Sequence, residues 1–204
     1  MNERLIEQFT AIVGARHALM QEEEQVSYLQ EWRGRWTGKT QIVLRHGCTE
    51  EVASLVKLAN ESKTAIVPQG GNTGLVGGQI PDGSGEQIVI NLGRMNAIRT
   101  IDSDGMTIIV DAGAILQSVQ EAAEEADRLF PLSLAAKGSA TIGGNLSTNA
   151  GGVGALAYGV ARDLCLGLEV VLPNGDVLSD LNTLKKNNTG YDLRNLFIGA
   201  EGTL

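Results

Sequence analysis

Residues 68–78 (P-Q-G-G-N-T-G-L-V-G-G) and 138–152 (G-S-A-T-I-G-G-N-L-S-T-N-A-G-G) hold most of the chemistry visible in this chain. Each sets several glycines among Asn, Thr or Ser, with no charged side chain. Glycine removes the Cβ that blocks close approach and opens φ > 0, so successive backbone N–H groups can converge on one point. Such a concave row of amides is an anion nest suited to phosphate. Two of them point to a ligand with a diphosphate and a long body, a dinucleotide. The bland alternative, tight turns and bulges of a β-rich domain, explains one such loop more easily than two.

Competing motifs fail on spacing. Gly71, Gly74 and Gly77 give G-x-x-G-x-x-G, not the G-x-G-x-x-G of a Rossmann turn. Gly152, Gly154 and Ala157 fit the variant ending in Ala, but Ser147-Thr-Asn-Ala-Gly precedes them where a strand is required. Thr37-Gly38-Lys39-Thr40 imitates the end of a Walker A loop, yet its earlier glycine would fall on Arg33. There is no G-x-S-x-G nucleophile elbow. His46 and Cys48 are the only close pair of metal-ligand types, and two residues do not make a zinc site, so no metal is expected. His17 is expected on a helix surface.

Composition narrows the partners. Glycine is 26 of 204 residues, about 13% against a usual ~7%, while Pro is only 4. With 43% apolar and 20% charged residues, this glycine excess reads as backbone made to approach something rather than as disorder. A net charge of −8 argues against nucleic acid and anionic membrane, since both are held by Lys and Arg. Neutral amides can still hold a diphosphate. Cys48 and Cys165 form no disulfide framework, and the first twenty residues show neither a signal core nor a transmembrane run, so a cytoplasmic location is expected.

The elements that must carry these loops follow from periodicity. Leu5, Ile6, Phe9, Ile12 and Val13 recur at helical spacing, and Glu22–Glu24 reads as a solvated face. Residues 28–36 (Y-L-Q-E-W-R-G-R-W) read as an arm packing on the domain, the alternative being contact with a nucleotide. Strands are predicted at 42–44, 65–67 and 87–91, with a helix after 49 capped by Thr49. A hairpin pairs 98–101 with 106–111 through Asp104-Gly105, and a helix covers about 115–126. Gly143, Gly144 and Asn145 are expected to open a short helix whose first amides face an electron-rich ligand. A second hairpin joins 166–172 to 176–178 through Pro-Asn-Gly. An apolar strand is expected to begin after 199–203, so the chain is expected to stop inside a fold. This order favours an α+β fold of two subdomains with the ligand in the cleft between them. The expected division is an N-terminal helical arm (1–40), one subdomain (41–100) and a second, truncated one (101–204).

The run 68–78, Pro131-Leu132, 136–139, 142–145, 147–152, Tyr158-Gly159, 166–172 and 188–202 resembles the PCMH-type FAD-binding domain of the vanillyl-alcohol-oxidase flavoproteins. Within that group it is most similar to the D-2-hydroxyglutarate dehydrogenase branch, near D-lactate dehydrogenases and the glycolate oxidase FAD subunit. The resemblance implies that Gly70, Gly71, Asn72, Thr73 and Gly74 wrap the FAD diphosphate, and that Pro68, Gly77, Gly78, Tyr158 and Gly159 also belong to the cofactor site. Pro131, Leu132, Gly138, Ser139, Ile142, Gly143, Gly144, Asn145, Thr148, Asn149, Gly151 and Gly152 would line the ribityl and ring portion. Glu201 and Gly202 would lie near the adenosine end. Family members that bond FAD covalently here carry His where this chain has Asn72, which implies non-covalent FAD. The implied reaction passes a hydride from a D-2-hydroxy acid to flavin N5 and electrons on to a separate acceptor. The family's substrate-holding residues lie in a second domain, no residue here matches them, and no catalytic residue is assigned. The alternative is a stand-alone FAD-binding module or subunit.

Overall fold

The structure is a computed structural model and describes residues 1–204. The chain forms two compact units, Met1–Met95 with Val171–Val177, and Asn96–Val170 with Leu178–Leu204.

In the first unit, α1 (Glu3–Val13) starts where the Asn2 side chain accepts the Leu5 N–H and ends at Gly14, whose φ of 81° no helix continues through. A 3₁₀ turn (Ala15–His17) follows, so His17 lies beyond the helix that was expected to carry it. Strand β1 (Ala18–Leu19), α2 (Glu22–Leu29), β2 (Val43–Arg45), α3 (Thr49–Ser62), β3 (Ile66–Gln69) and β4 (Ile88–Asn91) complete the unit. Cys48, not Thr49, occupies the cap position of α3; Thr49 is already helical, and the Glu51 carboxylate accepts the Gly47 N–H at 2.7 Å.

The sheet runs β1-β2-β4-β3, antiparallel at β1 and parallel elsewhere. Both faces are covered, which is why β2 and β4 are apolar at almost every position. Ile42, Leu44, Ile88 and Ile90 pack with Phe9, Val13, Leu55 and Ala59 from α1 and α3. Val43, Val67 and Val89 point the other way, toward Leu19 and Tyr28. The register sets Arg45, Asn91 and Gln69 side by side at the carboxyl ends of the three parallel strands. The first glycine loop leaves from that edge, where open parallel sheets receive ligands.

The second unit begins with the antiparallel pair β5 (Ile98–Asp102) and β6 (Thr107–Val110). Helices α4 (Leu116–Glu125), α5 (Ile142–Ser147), α6 (Ala155–Tyr158) and α7 (Ala161–Leu164) follow. The hairpin β7 (Leu168–Val171) and β8 (Val177–Asp180) precedes the short α8 (Arg194–Phe197). Leu116, Leu132 and Ala161 form the core, with Phe130, Ile142, Leu146 and Leu164 against it. The fold is mixed α+β, as the order of strand and helix signals predicts. No helix is long and apolar enough to cross a membrane.

Candidate functional site

In the first unit, none of the backbone N–H groups of residues 70–78 donates to another group of the chain. All nine lie at half-buried or exposed positions, where a ligand or water can meet donors that the chain itself leaves unpaired. Asn72 sits in this run at φ 53°, the left-handed conformation that lets neighbouring N–H groups converge into a nest. Leu75 and Val76 form the exposed tip.

Side-chain amides hold the loop in place of backbone pairing. Gln69, buried at the end of β3, donates to Tyr28 O (2.8 Å) and Gln79 O (2.9 Å). Asn91 at the matching position of β4 donates to Gly70 O (3.2 Å) and accepts the Gly93 N–H (3.0 Å). Gln79 donates to Gly74 O (3.0 Å) and Asn72 Oδ1 (3.2 Å). Asn72 Nδ2 in turn donates to Ser27 O (3.0 Å) and Gln30 O (2.9 Å). Sequence reasoning missed Gln69, Gln79 and Asn91. The signal of Gln69 and Asn91 was a polar residue closing an apolar strand, a feature shared with any strand end, while Gln79, inside the loop, carried none.

In the second unit, α5 starts at Ile142 with Thr141 as its cap, one residue before the predicted opening. Its first amides, expected to be free, are bonded within the chain. Ile142 N donates to Ala114 O, Gly143 N to Ala112 O, Gly144 N to Thr141 Oγ1 and Asn145 N to Thr141 O. The bridge between Ile115 and Thr141 draws this helix start against the neighbouring segment and consumes those donors. What α5 leaves free is a side chain: Asn145 is 4% exposed, and its Nδ2 has no partner.

The N–H groups of Gly151 and Gly152 are also unspent, beside Asn149 at φ 48°. Asn149 Oδ1 accepts the Arg162 N–H at 3.0 Å, fixing the loop to α7. Gly152 answers to its own chain: at φ 76°, a Cβ there would lie 2.0 Å from Ser133 O. That approach sets residues 152–153 on the segment carrying Pro131 and the buried Leu132. Thr148 hydroxyl donates back to Gly144 O (3.0 Å), Ser139 N to Ala136 O, and Gly159 ends α6 at φ 80° beside half-exposed Tyr158. Glu201, at φ 53°, donates its N–H to Ser147 O, which places the 199–202 segment next to the end of α5.

The donors of each unit, taken by themselves, suit a part of FAD. Free, uncharged amides match a diphosphate, and a buried unpartnered amide matches a flavin carbonyl or ring nitrogen. Of the two histidines, His46 is fully buried after β2 with neither ring nitrogen partnered. Burial lowers its pKa to about 4, with Glu51 opposing and Arg94 adding to the shift, so the ring is neutral near pH 7.

A parallel-edged α+β unit with a row of free amides at its strand ends defines a nucleotide-binding scaffold. The chain belongs to the FAD binding domain family, whose model matches residues 40–180. It is 43% identical over 182 residues to a D-2-hydroxyglutarate–pyruvate transhydrogenase of Saccharomyces cerevisiae, covering 89% of this chain and 36% of the relative. A putative mitochondrial D-lactate dehydrogenase of Schizosaccharomyces pombe is 47% identical over 174 residues, 85% of this chain and 33% of the relative. Among solved structures, alkyldihydroxyacetonephosphate synthase superposes with a TM-score of 0.84 at 20% identity, over all of this chain and 37% of that one. The chain thus spans about a third of the length of the curated relatives it matches.

These findings bear out the α+β fold, the resemblance and the FAD cofactor. They overturn the cytoplasmic expectation: the fission-yeast relative is mitochondrial, as are matching plant and animal enzymes. Sparse cysteine marks a reducing interior and does not separate one such compartment from another.

Proposed function

We propose that this chain supplies the FAD-binding part of a flavin-dependent dehydrogenase that oxidises a D-2-hydroxy acid, D-2-hydroxyglutarate or D-lactate, to the 2-oxo acid. The observation that carries the reading is the run of unspent amides at 70–78, held open by the Gln69–Gln79–Asn91 set. The relatives named for these two substrates support the substrate class. FAD, when bound, supplies a two-electron acceptor at flavin N5, reoxidised by a separate acceptor.

The chain's own residues bind and orient. The amides of Gly70, Gly71, Asn72, Thr73, Gly74, Gly77 and Gly78 would cradle the diphosphate, with Pro68 ending the strand before them. Asn145 Nδ2 and the amides of Gly151 and Gly152 would donate to the ribityl and ring portion. Pro131, Leu132, Gly138, Ser139, Ile142, Gly143, Gly144, Thr148, Asn149, Tyr158 and Gly159 would shape its walls, and Glu201 and Gly202 would meet the adenosine end. Residues 1–40 would form the arm, 41–100 the diphosphate-holding part and 101–204 the remainder. Asn72 would leave FAD dissociable: its side chain is an amide, already donating to Ser27 and Gln30 carbonyls.

Reconstitution tests this. The full-length gene product should bind FAD and bleach from yellow under D-2-hydroxyglutarate or D-lactate without oxygen. FAD at a hundred times its Kd should stabilise the fold by about 2.7 kcal/mol. Gly71→Val should abolish that shift without unfolding the protein, because the added branches would occupy the diphosphate's space. A saturating-FAD melt identical to the apo melt would sink the proposal.

A further inference from the structure

We propose that residues 27–38, the last turn of α2 and the hairpin that follows it, are a working part of the nucleotide site and that the buried Glu31 is their positioning residue. This rests on reading the loop after β3 as the diphosphate cradle. A loop that spends none of its own amides must be held by something else, and much of that holding ends on the last-turn carbonyls of α2 and on the hairpin after it. Asn72 donates to Ser27 O and Gln30 O, and Gln69 donates to Tyr28 O. The indole of Trp36 lies against Gly77, so closely that a Cβ there would fall 2.8 Å from Trp36 Cδ2.

The shape of the hairpin depends on one carboxylate. Gln30 and Thr37 form its closing bridge, with Glu31 N donating to Trp36 O at 3.2 Å and Gly38 N to Leu29 O at 2.8 Å. Inside the turn, Glu31 accepts the Arg33 N–H at 2.7 Å on one oxygen and the Arg35 N–H at 2.5 Å on the other. Glu31 is 1% exposed. A buried carboxylate is costly unless hydrogen-bonded, and backbone donors meet both oxygens here. Burial would raise its pKa, but the amides of Arg33, Arg35 and Trp36 together lower it, so the group stays anionic. Truncating Glu31 strands two amides, frees Trp36 from Gly77 and loosens Gln30 O beneath Asn72. The loop would then have to be ordered by the ligand, and that ordering is subtracted from affinity.

The test measures FAD Kd by flavin fluorescence, and FAD-dependent protection from trypsin at the exposed Arg33 and Arg35, in the full-length gene product. Glu31→Ala should raise Kd roughly tenfold or more and abolish protection in the turn. Glu31→Gln, which keeps one acceptor oxygen, should recover part of both. A Glu31→Ala protein that is less thermostable but has the parental Kd and protection would overturn the proposal, leaving Glu31 merely structural. If that variant does not fold, Trp36→Ala removes the cover over Gly77 without touching the carboxylate. It should weaken FAD at least threefold, and a parental Kd would overturn the proposal. Failure of the unmutated protein to bind FAD would instead sink the cradle reading itself.

Discussion

The guanidinium of Arg162 grips Asn195 twice, donating to its backbone oxygen at 2.9 Å and to its Oδ1 at 2.8 Å. A further bond runs to Ile198 O, while the Arg162 N–H donates to Asn149 Oδ1. One residue of α7 therefore ties the second glycine loop to the segment leading to Glu201.

Arg162→Lys should break this arrangement despite keeping the charge, since an ammonium cannot reproduce the planar fork. We expect a loss on the order of 1–2 kcal/mol in stability. Denaturant unfolding of both proteins checks the loss, and an unchanged midpoint would contradict it.

Gly152 and Gly78 should respond oppositely to alanine. At Gly152 the new methyl meets Ser133 O in a left-handed backbone, whereas a Cβ on Gly78 meets nothing within 4 Å. Gly152→Ala should cost at least about 2 kcal/mol, and Gly78→Ala should stay within about 0.5 kcal/mol. If Gly78 faces the cofactor, its variant loses FAD affinity while keeping the apo melting temperature, which parallel melts with and without FAD would reveal.

Asn145→Leu separates a ligand contact from a packing role. Removing a buried, unsatisfied donor should leave the apo protein as stable or more stable, by up to about 1–3 kcal/mol. The same change should weaken FAD if Nδ2 donates to it. Reduced apo stability with unaltered FAD affinity would place the role of Asn145 in the fold alone.

His46 makes the first unit acid-sensitive. Its folded pKa of about 4 lies below the unfolded 6.5, so the unfolded chain takes up a proton first as pH falls. Stability should therefore be fully retained above pH 6.5 and decline toward pH 4, by about 3 kcal/mol in all. His46→Phe should flatten that part of the profile, measured by urea unfolding at several pH values. A slope identical to the parent's would assign the acid sensitivity to other groups.

Much of the scaffold was legible in order. Apolar runs placed β2, β3 and β4 within a residue or two, because strands buried on both faces have few alternatives. Thr107–Val110 paired with Ile98–Asp102 through the turn that Asp104-Gly105 announced. Helix α2 was missed: its three leading glutamates are exposed and it buries only Gln25, so its apolar stripe is weak. The buried Glu31 was equally invisible, since a glutamate between Gln30 and Trp32 reads as surface until its two amide donors are seen.

The glycine, Asn and Thr content of two uncharged stretches determined by itself that backbone, rather than charge, would meet the ligand; the required φ values and missing Cβ atoms are local properties that residue type sets. Which amides remain available was decided only in three dimensions. Residues 70–78 keep theirs because Gln69, Gln79 and Asn91 hold the loop through side chains, while residues 142–145 lose theirs to Ala112, Ala114 and Thr141. A hydrogen-bond donor is free or spent according to what the folded chain brings within 3 Å of it, and neighbours distant in sequence make that choice.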